Sequence, residues 1–294
     1  MKSTLRTKVL ESGLADSLQK WQTHVDRALE EASKFFGPTT SPLAEACRYA
    51  LLGGGKRFRP AMVFLMNDAL GSHADVTQAA LAVEMFHTAS LIADDLPCMD
   101  DDDMRRSRPS LHRVYGEAVA LLASYALIAE GYHCLARVGA KGEIASEVLL
   151  LALENVAQNC GVLGAAGGQY LDLYPPNLHL DTVLEVLKKK TVTLFEMAFV
   201  LGWLYGQGDP KALPAVKRAA FHFGMAFQIA DDLDDMKQDK KKVGAVSLAL
   251  LLGPEPTKQR FLEEAASFRK EMQELGLERS ELVQMIEILT QIGV

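Results

Sequence analysis

The stretch DVTQAALAVEMFHTASLIADDLPCMDDDDMRRSRPS, residues 75–110, decides how the chain is to be read. Asp75 and Gln78 stand three apart ahead of an apolar run, as in a capping box, and predict a helix from there to about Asp95. Pro97 ends or disturbs that helix, because proline lacks the amide hydrogen that the next turn needs. Six aspartates then fall within residues 94–103, and Arg105 and Arg106 follow at once. Repulsion crowded against the end of an apolar helix is hard to screen with water. A bound cation would reverse its sign.

Outward from this stretch, nearly every segment carries helical periodicity, and period-2 alternation is absent. Helices are predicted over 112–137, 143–166, 181–206, 212–237, 255–274 and 279–291, with one near 60–70 and one or two before residue 50. LGGGKRFRP, YPPN, GQGDPKALP and LLGPEP punctuate them. The expected fold class is all-α, a single large bundle of long helices. Several helices are too apolar to be one-sided surface helices, so some must be central or face a partner subunit.

Composition agrees with a globular chain: 294 residues, 49% hydrophobic and 23% charged, with a net charge of −7. No Pro/Ser/Gly-rich linker or short repeat divides it, so one domain over 1–294 is expected. The acidic balance argues against nucleic acid as a partner. Cys47, Cys98, Cys134 and Cys160 are scattered without a CxxC pair, which fits a reducing cytoplasm better than a disulfide framework. The N-terminal residues lack the apolar core of a signal peptide, and no uninterrupted apolar run approaches the ~18 residues of a membrane span. The longest, Ala118–Ala129 between Glu117 and Glu130, reads as a buried helix of a soluble protein.

A second acidic run, AFQIADDLDDMKQ at 226–238, repeats the first. Asp231 and Asp235 share a helix face there, with Asp232 beside them. Two like charges 4 Å apart repel by ~1 kcal/mol in water but ~4 kcal/mol at an effective dielectric of 20. Carboxylates without a Cys or His constellation favour a hard ion, and magnesium over calcium if a phosphate completes its shell. The chain also offers cations for phosphate: Lys56, Arg57 and Arg59 on a Gly-rich turn that is not a Walker A loop, Arg105 and Arg106, and Lys190-Thr191 in a helix. Lys188 and Lys189 read as surface charges.

GGGKRFRP, FHTASLIADDLPCMDDDDMRRSRPS, GGQYLDL, KKKTVTLFE and FGMAFQIADDLDD, in this order, resemble the trans-isoprenyl diphosphate synthases. More narrowly, they resemble the farnesyl/geranylgeranyl diphosphate synthases of bacterial and plant type, over residues 40–253. The resemblance implies a helical bundle around a central cavity, a homodimer, and a magnesium-dependent condensation of isopentenyl diphosphate with an allylic diphosphate. It implies that Asp94 and Asp100 hold magnesium from one side, with Asp95 in support. Asp231 and Asp235 do so from the other, with Asp232 behind them. Arg105, Lys190 and Thr191 would hold the allylic diphosphate, and Lys56, Arg59, His87 and Arg106 the isopentenyl diphosphate. Gln228 would lie near the reacting carbons. Ala89 and Ser90, small residues about a turn above Asp94, imply a product longer than C15, with C20 geranylgeranyl diphosphate favoured.

Three departures stand out. Ala93 replaces a histidine, Ser124-Tyr125 stand where relatives usually have Gly-Asp, and the chain after Asp235 is short and lacks a GKxxGxD element. Lys237 or one of Lys240–Lys242 is a candidate substitute for the missing lysine, and Tyr125 a candidate floor of the cavity. Two other functions share part of the pattern. A class I terpene cyclase needs no isopentenyl site, and a non-catalytic subunit of a heteromeric synthase needs no intact acidic motif.

Overall fold

The protein is described here by a computed structural model covering residues 14–37, 40–239 and 246–291. Its helices are α1 (Ala15–Ser33), α2 (Pro42–Leu51), α3 (Phe58–Ala69), α4 (Thr77–Asp94), α5 (Leu111–Tyr115), α6 (Glu117–Ala140) and α7 (Ser146–Cys160). They continue with α8 (Ala165–Leu173), α9 (Leu180–Leu187), α10 (Thr193–Tyr205), α11 (Leu213–Asp239), α12 (Leu248–Leu252), α13 (Pro254–Glu274) and α14 (Glu281–Gln291). Strands β1 (Met104–Arg105) and β2 (Arg108–Pro109) pair as a small antiparallel hairpin just after the first acidic run.

The all-α expectation holds, with informative differences at the helix ends. The capping box expected at Asp75 and Gln78 does not form: Val76 is the N-cap of α4, without a side-chain cap, and Asp75 Oδ1 instead accepts from the Thr77 amide at 2.9 Å in a local turn just before the helix. The predicted 112–137 helix is broken at Gly116, whose φ of 83° belongs to the left-handed half of the map. The predicted 143–166 helix stops at Cys160, and α8, which was not anticipated, begins after a turn. Between α9 and α10 the chain stays helical but widens into a π turn at Lys188–Val192. Such single π turns recur at functional sites, because one inserted residue re-aims its neighbours.

Of the helices too apolar for a one-sided surface position, α4 and α10 are the ones the structure places centrally. In α10 every residue except Glu196 is buried. α4 packs between α6 on one side and α3 and α10 on the other. Phe195, Phe199, Phe223, Phe227 and Phe268 form a chain of ring contacts joining α10, α11 and α13, with centroids 5.2–6.3 Å apart. By length and composition alone α6, and the run Ser146–Leu173, are apolar enough to cross a membrane, although charged residues interrupt both, so the expectation of no uninterrupted apolar span stands. α6 spends one face on α4 and leaves Leu121, Leu122 and Tyr125 exposed on the other.

One buried carboxylate fixes the loops around this core. Glu84, 1% exposed within apolar α4, accepts from Arg57 Nη1 at 2.5 Å and Arg106 Nη2 at 2.8 Å. Arg57 also donates to Asp26 of α1 and to the Leu51 carbonyl. Arg106 also donates to the Gly54 carbonyl, lying so close to Gly55 that a Cβ there would meet its guanidinium at 3.1 Å. Burial alone would raise the Glu84 pKa, but Arg106 and Arg57 hold it below the ordinary carboxylate range. Breaking a buried ion pair from one side is worth roughly 3–5 kcal/mol. Glu84→Ala is therefore expected to lose about that much unfolding free energy in urea titrations. Glu84→Gln, which keeps one acceptor, loses less.

Candidate active site

α4 ends at Asp94, and the chain then curls under itself. The Asp100 amide donates to the Asp94 carbonyl at 2.9 Å, and those of Met99 and Asp101 donate to Leu96. This bulged end, begun where Pro97 was expected to end or disturb the helix, brings Asp100 back beside Asp94 across six residues. The neighbouring aspartates are committed elsewhere. Asp95 is buried and accepts from Arg105, whose Nη2 also reaches Asp102 at 2.9 Å. Arg113 pairs with Asp101 and Asp103. Arg105 of the hairpin and Arg113 of α5 thus absorb the outer charges, and Asp94 is left facing inward with the exposed Asp100 beside it.

The π turn supplies the cation opposite them. Lys190 Nζ lies 2.5 Å from Asp172 Oδ2 and 3.9 Å from Asp100 Oδ2. Gly168 makes the approach possible: a Cβ there would sit 2.3 Å from the Lys190 backbone nitrogen. Gln169, one residue on, donates to Asp100 at 3.5 Å. Thr191 occupies the same turn, half-buried. Lys188 is exposed and Lys189 pairs with Glu185 at 3.1 Å, as surface charges do.

The turn also packs on α11, where Gly224 approaches Val192. Two helical turns further on, Asp231 and Asp232 are buried and Asp235 is half-buried. Asp232 accepts from Gln228 Nε2 at 2.9 Å and from the Leu248 amide at 2.7 Å, so it anchors the start of α12. Residues 240–242, candidates for the missing lysine, lie outside the described residues, and the Lys237 side chain is likewise not described.

The remaining cations gather at the start of α3. Arg59 Nη1 lies 3.3 Å from His87 Nε2, and its guanidinium stands 5.0 Å over the Phe195 ring. Lys56 precedes them on the Gly-rich turn. Arg106 lies against the same turn, held by Glu84 as described above.

From Asp94 a cavity of about 470 Å³ runs between α4, α6 and α8. Ala89, Ser90 and Ala93 form its α4 wall, Ser124 and Ile128 its α6 wall, and Tyr170 and Tyr174 stand on α8 and just beyond it. Ser124 Oγ donates to the Ala89 carbonyl at 3.0 Å. Tyr125 is 59% exposed and does not line the cavity, so the candidate floor at that position is corrected: consecutive helical residues point about 100° apart. Cys160, on the far wall, has a thiol that burial pushes up to about 12, and it stays protonated.

The polyprenyl synthetase family model matches residues 40–248. The chain belongs to the polyprenyl synthetase family. Its motifs are those of the trans-isoprenyl diphosphate synthases, and it is a prenyltransferase of that class. It is 40% identical over 228 residues to the heterodimeric geranylgeranyl pyrophosphate synthase large subunit 2 of Arabidopsis thaliana. That match spans 75% of this chain but 58% of the relative. It is 35% identical over 283 residues to geranylgeranyl pyrophosphate synthase 9, chloroplastic, of the same organism, covering 92% of this chain and 78% of that one. A crystal structure of a geranyltransferase from Legionella pneumophila superposes with a TM-score of 0.83 at 22% identity, over 99% of this chain and all of that one, and shows the same fold.

Electrostatics tests whether these polyprenyl synthetase residues fit a metal. Burial, with Asp100 and Asp95 adding to it and Lys190 and Arg105 opposing, pushes the Asp94 pKa up to about 6. The C-terminus of α4 points its partial negative charge at the same carboxylate. Burial works against the charge on Lys190, but Asp172 and then Asp94 outweigh it and hold its pKa above the ordinary value. Asp94 therefore lacks positive charge even with Lys190 present, and its oxygens are hard donors. Among the described residues no three acidic, His or Cys side chains already converge on one point, so diphosphate oxygens would have to complete any magnesium shell. The donor set fits magnesium on those terms.

Glu84, Asp172 and Gln169 are the site residues that sequence reasoning passed over. Glu84 and Asp172 were findable as lone carboxylates in otherwise apolar helical stretches.

A raised carboxylate pKa in the fold means that ionising Asp94 opposes folding. In metal-free buffer this penalty is absent near pH 4, grows as pH rises towards about 6, and is complete by neutrality. Asp94→Asn is expected to raise stability at neutral pH by roughly 1–2 kcal/mol after solvent screening, and to flatten this pH dependence. Thermal melts across that range measure both.

Proposed function

We propose that the protein is a magnesium-dependent prenyltransferase that joins isopentenyl diphosphate head-to-tail to allylic diphosphates, with C20 geranylgeranyl diphosphate as its main product rather than C15 farnesyl. One observation carries the reading: a charge-starved carboxylate, Asp94, stands at the mouth of an apolar cavity walled on α4 by small residues, with Asp100 beside it. Such a site suits a substrate with a highly anionic head and a greasy tail.

Asp94 and Asp100, backed by Asp95, and Asp231 and Asp235, backed by Asp232, would hold magnesium. When bound, the metal would supply positive charge against the departing diphosphate. Arg105, Lys190 and Thr191 hold the allylic diphosphate and release some of their present acidic partners to do so. Lys56, Arg59, His87 and Arg106 orient isopentenyl diphosphate. Arg106 is prepositioned by Glu84, and Arg59 by Phe195 and His87. The allylic C–O bond breaks with its electron pair leaving on diphosphate. The isopentenyl double bond forms the new carbon–carbon bond, and the proton it sheds passes to the released diphosphate. Gln228 steadies Asp232 beside the reacting carbons. The cavity walls exclude water from the allylic cation.

The exposed apolar face of α6 and α7, with Leu121, Leu122, Tyr125 and Leu150, supports assembly as a homodimer. The large-subunit relative keeps a heteromeric assembly as the second reading. Four free cysteines suit a cytoplasmic setting.

Incubation with magnesium, labelled isopentenyl diphosphate and allylic starters of graded length tests the reading. Elongated diphosphates ending at C20 are expected, and a clean stop at C15 refutes the length assignment. Hydrocarbons would indicate a cyclase, and absence of turnover a subunit that needs a partner. Ala89→Tyr should shorten the product to C15, and Asp94→Asn or Asp231→Asn should lower kcat by at least ~100-fold.

A further inference from the structure

Gly131 lies in the middle of α6, where glycine weakens a helix by about 1 kcal/mol relative to alanine. Its backbone is ordinary helix, so no unusual φ explains it. Space does. The Phe86 ring of α4 fills the gap: a Cβ at Gly131 would stand 2.7 Å from Phe86 Cζ and 2.9 Å from Cε1 and Cε2. Real carbon atoms do not approach so closely, so the ring rests directly on α6 backbone.

Phe86 is also the first bulky residue met along the α4 wall. Moving away from Asp94, that wall presents Ala93, Ser90 and Ala89 before Phe86. Eight residues of helix place Phe86 about 12 Å below Asp94 on a similar face. On its other side the ring meets Tyr132 edge-on, with centroids 5.2 Å apart. Phe86 is 3% exposed and is the cavity-lining residue of α4 farthest from Asp94. Close-packed protein on the Tyr132 side yields poorly, whereas the cavity is open. A methyl group at position 131 would therefore drive the ring upward into the cavity.

We propose that Gly131 is a specificity-determining residue: by receiving the Phe86 ring it lowers the cavity floor and sets how long a prenyl tail can grow. The inference rests on the elongation reaction proposed above. It needs no contact between Gly131 and the substrate, because the residue acts through Phe86.

The experiment compares product lengths from wild type, Gly131→Ala, Phe86→Ala and the double variant, with isopentenyl diphosphate and the shortest allylic starter. Gly131→Ala should still carry out the first condensation but end at least one isoprene unit shorter than wild type. Phe86→Ala should end at least one unit longer. In the Phe86→Ala background the added methyl should have no effect, since the ring it displaces is gone. Wild-type product lengths from an active Gly131→Ala protein would overturn the inference, as would a shortening that persists in the double variant. Should Gly131→Ala fail to fold, judged by its melting curve, Phe86→Ala decides: longer products support the floor and unchanged products remove it. Failure of the wild type to elongate any starter would strike instead at the proposed reaction.

Discussion

Charge balance at the buried end of α4 is the constraint around which the site is arranged. Asp94 sits at the negative end of a helix dipole, partly out of water, with the exposed Asp100 and further aspartates close by. Every nearby cation answers this demand. Arg105 takes Asp95 and Asp102, Arg113 takes Asp101 and Asp103, and Lys190 stands before Asp94 and Asp100 while bonded to Asp172. The protein's own cations are distributed so that the deficit falls on Asp94, which faces the cavity. Electrostatic strain of this kind lowers stability without ligand and becomes attraction once positive charge arrives.

Holding such a cluster requires rigid backbone nearby, and two devices supply it. Gly168 lets α8 touch the π turn, so Lys190, Gln169 and Asp172 meet at one place. Glu84 ties α4 to the Gly-rich turn and the hairpin through Arg57 and Arg106. Arg57, adjacent to the phosphate-binding candidate Lys56, is wholly buried in that role. A run of basic residues on one turn thus divides between holding the turn and serving the site.

The same helix performs two tasks on two faces. One face of α4, with Ala89, Ser90 and Ala93, walls the apolar cavity; another, with Glu84, Thr88 and Asp95, meets the arginines. A period of 3.6 residues lets neutral and charged chemistry alternate along one helix without mixing. Ser124 and Tyr125 illustrate the consequence on α6, where adjacent residues point one to the cavity and one to solvent.

Much of this was legible in the amino-acid order alone. Apolar periodicity determined that the chain is helical and that some helices must be interior, because burying apolar surface on all sides removes it from water. It did not determine which: α4 and α10 are interior, whereas the Ala118–Ala129 run read as a buried helix leaves Leu121, Leu122 and Tyr125 exposed. The two aspartate runs and the arginine pair marked the charged site, since repulsion at that density demands a counterion. What the order of residues did not determine was pairing across the chain. Glu84 with Arg106, Asp172 with Lys190, Asp232 with Leu248 and Phe86 with Gly131 are separated by 16 to 45 positions. Their partners are chosen by how helices cross and how closely backbones approach, and those depend on packing of the whole core rather than on any local pattern.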